Sequence, residues 1–317
     1  MSNSNLASNP FVKNKTLLGK MKADFSKNNV YYIMLIPLIL YYIIFHYFPM
    51  YGAQIAFKNF SIGKGIIKSP WVGLKHFNSF FSSIYFGRLL TNTLLLNIYD
   101  IIFGFPLPIV LALMLNEVRS SKYRRTIQTV TYLPHFISIV VLCSMVRDFT
   151  ARTGMINEII VLFGGEPIIF LQEADWYRTV FVSSGIWREF GWSSIIYMAS
   201  LSAIDVEMYE AAHIDGASRL KQIWYITLPS LLPTIVIMLI IRFGRIMNVG
   251  VEKTLLLYNP STYKTADVIS SYVYRKGIID GNYSFSSAVG LFNSVINFAL
   301  LLTVNRISKS LTGSGLF

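Results

Sequence analysis

The sequence predicts an all-α membrane protein: six transmembrane helices, with one structured polar loop between the fourth and fifth. Three observations predict it. Of 317 residues, 53% are hydrophobic and 14% are charged, where a soluble domain carries about 25% charged residues. Six apolar runs reach the ~20 helical residues needed to cross a hydrocarbon core. Lysines and arginines gather at alternate ends of those runs, as they do on the cytoplasmic side of a membrane.

The runs are 30–48, 89–115, 127–147, 177–201, 230–249 and 285–304. The first follows a leader, 1–29, that contains Lys13, Lys15, Lys20, Lys22 and Lys27. Its apolar stretch is longer than a secretory h-region and no A-x-A site closes it, so it is expected to remain as a span. The leader itself is expected to lie on the inner leaflet or to have no fixed structure. Tyr31, Tyr32, Tyr41, Tyr42 and Tyr47 suit an interfacial belt.

Arg119, Lys122, Arg124 and Arg125 follow the second run, and Arg306 and Lys309 lie in the tail 306–317. The positive-inside rule places both groups in the cytoplasm. The connection 148–175 carries Glu158, Glu166, Glu173 and Asp175 against Arg152, which suits the other side. Lys58, Lys64, Lys68 and Lys75 in the first outside loop run against the rule, and the leader is expected to decide orientation. The domain plan is therefore a leader 1–29, a six-helix domain 30–305 and a tail 306–317, with both termini and the loop 202–229 cytoplasmic.

That loop has the parts of two short helices and a hinge. Asp205 and Glu207 put negative charge in the first turn, and Gly216 supplies the backbone freedom that ends it. A second helix is expected from about Ser218, with Leu220, Ile223, Trp224 and Thr227 forming a mostly apolar stripe, and Pro229 stopping it. A polar, structured element wedged between two spans reads as a coupling device or, more plainly, as an amphipathic connector.

Charges inside spans are costly and usually face a cavity or a partner. Arg188 and Glu189 fall in the fourth run beside Trp187 and Trp192. Arg242 and Arg245 fall in the fifth, on one helix face about 18 and 22 Å along from Ser230. One reading is a water-filled sugar path, with aromatic rings stacking on sugar faces and arginines meeting hydroxyls or carboxylates. The other is pairing of Glu189 with Arg188 or Arg242, or snorkelling to an interface. With Glu189 as the one obvious counter-charge, the path is expected to carry excess positive charge. Asn92, Asn97, Asn248, Asn293 and Asn297 suit helix packing slightly better than substrate contact.

Several functions are set aside. A net charge of +12 in so apolar a chain argues for basic span flanks rather than nucleic-acid binding. Cys143 is the sole cysteine, which excludes an intrachain disulfide and a cysteine-cluster metal site. His46, His76, His135 and His213 have no metal-ligand spacing, so no metal is expected. There is no G-x-x-x-x-G-K-[ST] phosphate loop, and Gly63, Lys64 and Gly65 read as a turn. A membrane channel or membrane-embedded enzyme built on the Arg/Glu cluster remains the alternative, although no acid pair or nucleophile arrangement supports it.

Glu210, Ala211 and Ala212, then Asp215 and Gly216, then Ile226, Leu228 and Pro229 stand at a spacing that resembles the coupling motif of permease subunits of binding-protein-dependent ABC importers. Tyr47-Phe-Pro-Met-Tyr51, Gly73-Leu-Lys-His-Phe77, Gly191-Trp192, Leu257-Tyr-Asn-Pro260, Ala266-Asp-Val-Ile269 and Ala288-Val-Gly-Leu-Phe292 resemble the complex-oligosaccharide branch of the maltose-type carbohydrate permeases. The likeness covers nearly the whole chain. It implies a type I ABC importer permease fold in the bacterial cytoplasmic membrane. It also implies a sister permease subunit, two ATP-binding subunits that hold the ATP and magnesium, a solute-binding protein, an oligosaccharide substrate, surrounding lipid, and no cofactor on this chain. Glu210, Ala211, Ala212, Asp215 and Gly216 would form the ATPase-docking elbow, with Ile226, Leu228 and Pro229 closing it. Trp187, Arg188, Trp192, Arg242, Arg245, Asn248 and Asn293 are the pathway candidates. That branch tends to carry small neutral residues where this chain has Arg242 and Arg245, a departure that points to an anionic sugar.

Overall fold

The computed structural model describes residues 24–25, 27–313 and 315–316, so the expectation for leader residues 1–23 lies outside the described residues. Among the described residues the regular structure is helical, with one isolated bridge between Lys58 and Trp71. It divides into two units, 1–54 and 55–317.

The first unit is dominated by helix α1, Asn29–Phe57, which continues into the second unit's opening residues. Its first 14 residues bury none of their side chains. A helix apolar on every side, long enough to cross a hydrocarbon core, has the make-up of a membrane helix rather than of an amphipathic surface helix.

In the second unit, α2 is Phe86–Glu117, α3 is Ser121–Phe136, α4 is Ile139–Leu162, α5 is Ala174–Leu201, α6 is Val206–Ile214, α7 is Arg219–Phe243, α8 is Val251–Leu257, α9 is Ile269–Tyr274 and α10 is Tyr283–Thr312. Of these and α1, four are long and apolar enough to cross a membrane, or five spans result if α3 and α4 count as one broken span. At 28 residues, α5 is long enough at about 42 Å. Its polar residues, Arg188 and Glu189 among them, dilute its apolar character. The third expected span is not one helix: α3 and α4 meet at 100°. Pro134 tightens the end of α3 into a 3₁₀ turn, and Ser138 caps α4 by accepting from the Val141 amide at 3.3 Å.

Three prolines that would otherwise break helices follow π turns: Ile43–Tyr47 before Pro49, Asp100–Gly104 before Pro106, and Ile223–Thr227 before Pro229. The wider turn accommodates a ring that cannot donate to the preceding carbonyls. This overturns the expectation that Pro229 stops the second loop helix, since α7 runs through it from Arg219 to Phe243. At the other end, α7 finishes at Phe243, short of the expected 249. The last helix extends past 304 to Thr312, so the predicted tail begins inside it, and Gly313, at φ 69°, ends it.

Three apolar clusters hold the second unit together. Ala112, Tyr197, Leu201 and Leu231 join α2, α5 and α7. Leu96, Cys143, Tyr177, Leu257 and Val268 bring α2, α4, α5 and α8 together. Phe80, Leu89, Met247, Ile269 and Val289 seat α10 and α9 against α2.

One polar knot was not foreseen. Asp267 is wholly buried and accepts from Arg88 at 3.2 Å, Arg275 at 2.8 Å and the Ser271 hydroxyl at 2.9 Å. Asn92 donates to the carbonyls of Lys264 and Asp267, and Arg178 donates to Asn92 at 2.8 Å. These bonds tie α2, α5 and α9 together, so Asn92 packs helices. So does Asn297, which accepts from the Met247 amide at 2.9 Å.

Candidate functional site: a charged cavity and a protruding elbow

A cavity of about 710 Å³ opens between α2, α5, α7 and α8. Its charged lining is Asp100, Arg188, Glu189, Arg242, Glu252 and Lys253, and Asn97 and Asn248 add amides.

Each charge is placed by a local feature of the chain. Asp100 begins the π turn of α2, where the extra residue turns its carboxylate aside, and Gly104 leaves room for it: a Cβ there would lie 2.8 Å from Asp100 Oδ1. Arg242, in the last turn of α7, makes an ion pair with Asp100. Arg188 pairs with Glu189 at 2.7 Å and also donates to the carbonyls of Ile137 and His135, both at 3.3 Å. Those two carbonyls stand at the break between α3 and α4, where helical partners are missing. Arg188 therefore serves two ends: it pins the break and faces the cavity. His135 completes the group, stacked on Trp192 with ring centroids 4.4 Å apart and with Nδ1 3.0 Å from Glu189 Oε2. Lys253, 9% exposed, reaches across to donate to the Phe181 carbonyl on α5 at 2.6 Å.

Of the pathway candidates, Arg188, Arg242 and Asn248 line this cavity. Trp187 lines a separate apolar pocket of about 470 Å³ with Leu142, Phe149 and Trp176. Trp192 braces His135 instead, and Asn293, outside the lining, donates to Asn248 at 2.8 Å. Arg245 is exposed in the turn after α7 rather than on a shared helix face, because the helix ends at Phe243. The expected excess of positive charge also fails in its premise: Asp100 is a second carboxylate counter-charge, and both cavity arginines are paired. Sequence reasoning passed over Asp100, Glu252 and Lys253. A lone aspartate in the run 89–115 was the signal available for the first.

The second candidate site is the loop 202–229. Asp205 caps α6 by accepting from the Glu207 amide at 3.1 Å, and Gly216 leaves the helix at φ 73°. Glu210, Ala211, Asp215 and Gly216 are exposed, Ala212 is half-buried, and Pro229 is exposed in α7 just after its π turn, with Ile226 and Leu228 half-buried. The expected apolar stripe divides. Thr227 is buried and hydrogen-bonded to Tyr209 at 3.0 Å, which fixes α6 to α7, whereas Leu220 and Trp224 point outward with Ile214 and Tyr225. Large apolar side chains are thus left uncovered beside an acidic, well-capped helix.

A chain of long apolar helices with a charged cavity and an exposed polar loop between two of them fits a membrane transport subunit. The chain matches the family described as "Binding-protein-dependent transport system inner membrane component" over residues 104–313, and it belongs to that family. It is a transport component, not an enzyme, which sets aside the alternative of a membrane-embedded enzyme. It is 47% identical to Protein LplB of Bacillus subtilis (strain 168) over 287 residues, covering 90% of each chain. It is 43% identical over 289 residues to the polygalacturonan/rhamnogalacturonan transport system permease protein YteP of the same organism, covering 90% of this chain and 89% of the other. Among solved structures it resembles a chain of the bacterial alginate ABC transporter in complex with alginate pentasaccharide-bound periplasmic protein. That likeness has a TM-score of 0.86 and 42% identity, and covers 94% of this chain and 100% of that one.

Proposed function

We propose that this chain is one of two membrane-spanning permease subunits of an ATP-driven importer that takes up acidic, uronic-acid-containing oligosaccharides. An extracytoplasmic solute-binding protein delivers the sugar, and two ATP-binding subunits dock on the elbow 202–229. The observation that carries the reading is the cavity: basic side chains on three different helices converge on a space large enough for sugar rings, and the arginines among them are held by carboxylates. A sugar carboxylate entering such a site exchanges one anion for another around an already oriented guanidinium, so desolvation is shared rather than met anew. The relatives support the class of cargo, since alginate is an acidic polysaccharide in the description of one neighbouring importer and polygalacturonan names a relative.

The coupling follows a two-state scheme. ATP binding closes the ATPase pair, the docked elbows move as rigid levers, and the helices switch between inward-open and outward-open. The cavity lies between α2, α5, α7 and α8, and α7 continues directly from the elbow, so one rigid element joins docking surface to site.

The test is ATP hydrolysis by the reconstituted complex with binding protein. Acidic oligosaccharides are expected to stimulate it and neutral ones of equal length to do so weakly. Arg242→Gln, which also strips Asp100 of its partner, is expected to lower the response to acidic sugar about tenfold or more. Arg245→Gln, off the cavity, should behave like the parent. Equal stimulation by neutral oligosaccharides would overturn the acidic reading.

Six spans with α5 and the broken α3/α4 both crossing put the two termini and Ala212 in the cytoplasm. A cysteine at position 212 is therefore expected to resist an impermeant thiol reagent in intact cells, and one at position 158 to react. The reverse pattern would overturn the topology.

A further inference from the structure

Lys253 is the one basic residue of the cavity lining that has no carboxylate within ion-pair distance among the described residues: Arg188 holds Glu189 and Arg242 holds Asp100. The residue is nine-tenths buried, yet its ammonium's hydrogen bond is to a single backbone oxygen, that of Phe181, 2.6 Å away, and the Phe181 ring centroid lies 4.4 Å from it. A lysine ammonium has three donors, and burying a cation whose donors are not all used is costly unless an anion joins it. The sequence also keeps space open around it. Gly185, one turn along α5 from Phe181, lines the same cavity, and a Cβ there would come within 3.1 Å of Lys253 Nζ. Glu252, the one lining carboxylate with no ion pair, is exposed rather than drawn onto its neighbour.

We propose that Lys253 is a carboxylate-reading residue of the translocation cavity, its ammonium pairing with a uronate carboxylate of the passing oligosaccharide over the notch left by Gly185. The assignment rests on the acidic-oligosaccharide reading above and adds to it the residue that distinguishes acid from neutral sugar. The two arginine pairs form the part of the site that is balanced when empty. Lys253 holds no carboxylate at ion-pair distance among the described residues, and a charge-assisted hydrogen bond to it is open to a substrate that brings its own anion. A purely structural alternative is that Lys253 ties α8 to α5 through the Phe181 carbonyl, which any sugar would need equally.

The two are separated by a ratio. The complete complex, with its binding protein, is reconstituted and transport is measured for an alginate-derived or galacturonate oligosaccharide, whichever drives the parent better, and for its methyl ester. Comparing variant with parent under one binding protein cancels that protein's own preference. Lys253→Gln is expected to reduce the acid-to-ester ratio about tenfold, mostly by loss of the acid rate, a factor worth about 1.4 kcal/mol. Lys253→Arg, which keeps the charge, should retain most of the ratio. If Lys253→Gln lowers both rates together and leaves the ratio as in the parent, the lysine is a helix tie and the proposal is wrong. If neither acid drives the parent, the acidic-oligosaccharide reading fails first, and this inference with it.

Discussion

Gly191→Val is expected to remove the transporter from the membrane. Gly191 is buried where α5 crosses α3, and any Cβ built on it would fall well inside van der Waals contact of the Thr131 carbonyl. The obstacle is backbone, so no side chain can swing away, and the two helices would have to part. Overfilling a packed contact costs about 1–3 kcal/mol for added methylenes, and more where backbone must shift. The loss would spread, because the same crossing sets Arg188 on the free carbonyls of His135 and Ile137 and stacks Trp192 on His135. A loss of 1–2 kcal/mol already changes cellular abundance several-fold. Membrane abundance and thermal unfolding of the purified complex give the measurement, and Gly290→Ala, whose Cβ would meet nothing within 4 Å, is the matched control expected to accumulate normally. Parent-like abundance of Gly191→Val would show that α3 and α5 can part here without loss of the fold.

The crossing also marks the limit of what the sequence reveals. The long apolar stretches, the elbow between the fourth and fifth of them, the cap at Asp205 and the turn at Gly216 follow from local rules: hydropathy over about 20 residues, a capping side chain and a glycine. The break between α3 and α4 does not, since 127–147 reads as one uninterrupted run and only tertiary partners make the bend stable: Arg188 from α5 must satisfy the carbonyls that Pro134 and the turn set free. The π turns are equally silent, because a proline in an apolar run predicts a stop, whereas a one-residue widening before it lets the helix continue.

The cavity was legible in part and for a clear reason. Arg188, Arg242 and Asn248 stand out as polar residues in apolar runs, and they do line it. Lys253 lies beyond the apparent end of the fifth run, in a stretch that reads as an ordinary connection, and Asp100 is one aspartate among neighbours of high hydropathy. Which arginine meets which carboxylate is a matter of helix rotation across 142 positions of sequence, and no periodicity encodes that. The corrected charge balance bears on the proposal: both cavity arginines already hold carboxylates, and Lys253 is the lining cation that does not.

Gly216→Val is expected to leave assembly intact and to disconnect ATP hydrolysis from sugar. The residue is exposed, holds φ at 73°, and a Cβ there would meet nothing within 4 Å, so a side chain brings no clash into the fold. What it brings is conformational: the left-handed region costs an L-residue on the order of 1–2 kcal/mol, and a β-branched one has the least tolerance for it. The chain can relieve that cost only by changing the angle between α6, which presents Glu210 and Ala211, and α7, which continues toward the cavity at Arg242. A lever with an altered hinge still folds and still docks loosely, but it no longer transmits a fixed displacement. Sugar-stimulated ATP hydrolysis by the reconstituted complex should fall by on the order of tenfold or more, with abundance and ATPase co-purification near parental values. Gly164→Val supplies the control, because Gly164 sits at φ 83° in equally open space in the connection between α4 and α5 and carries the same backbone cost without lying between docking surface and cavity. That variant should transport. If Gly216→Val couples as the parent does, or if both glycine variants fail alike, the elbow 202–229 is not the element through which ATP drives this permease.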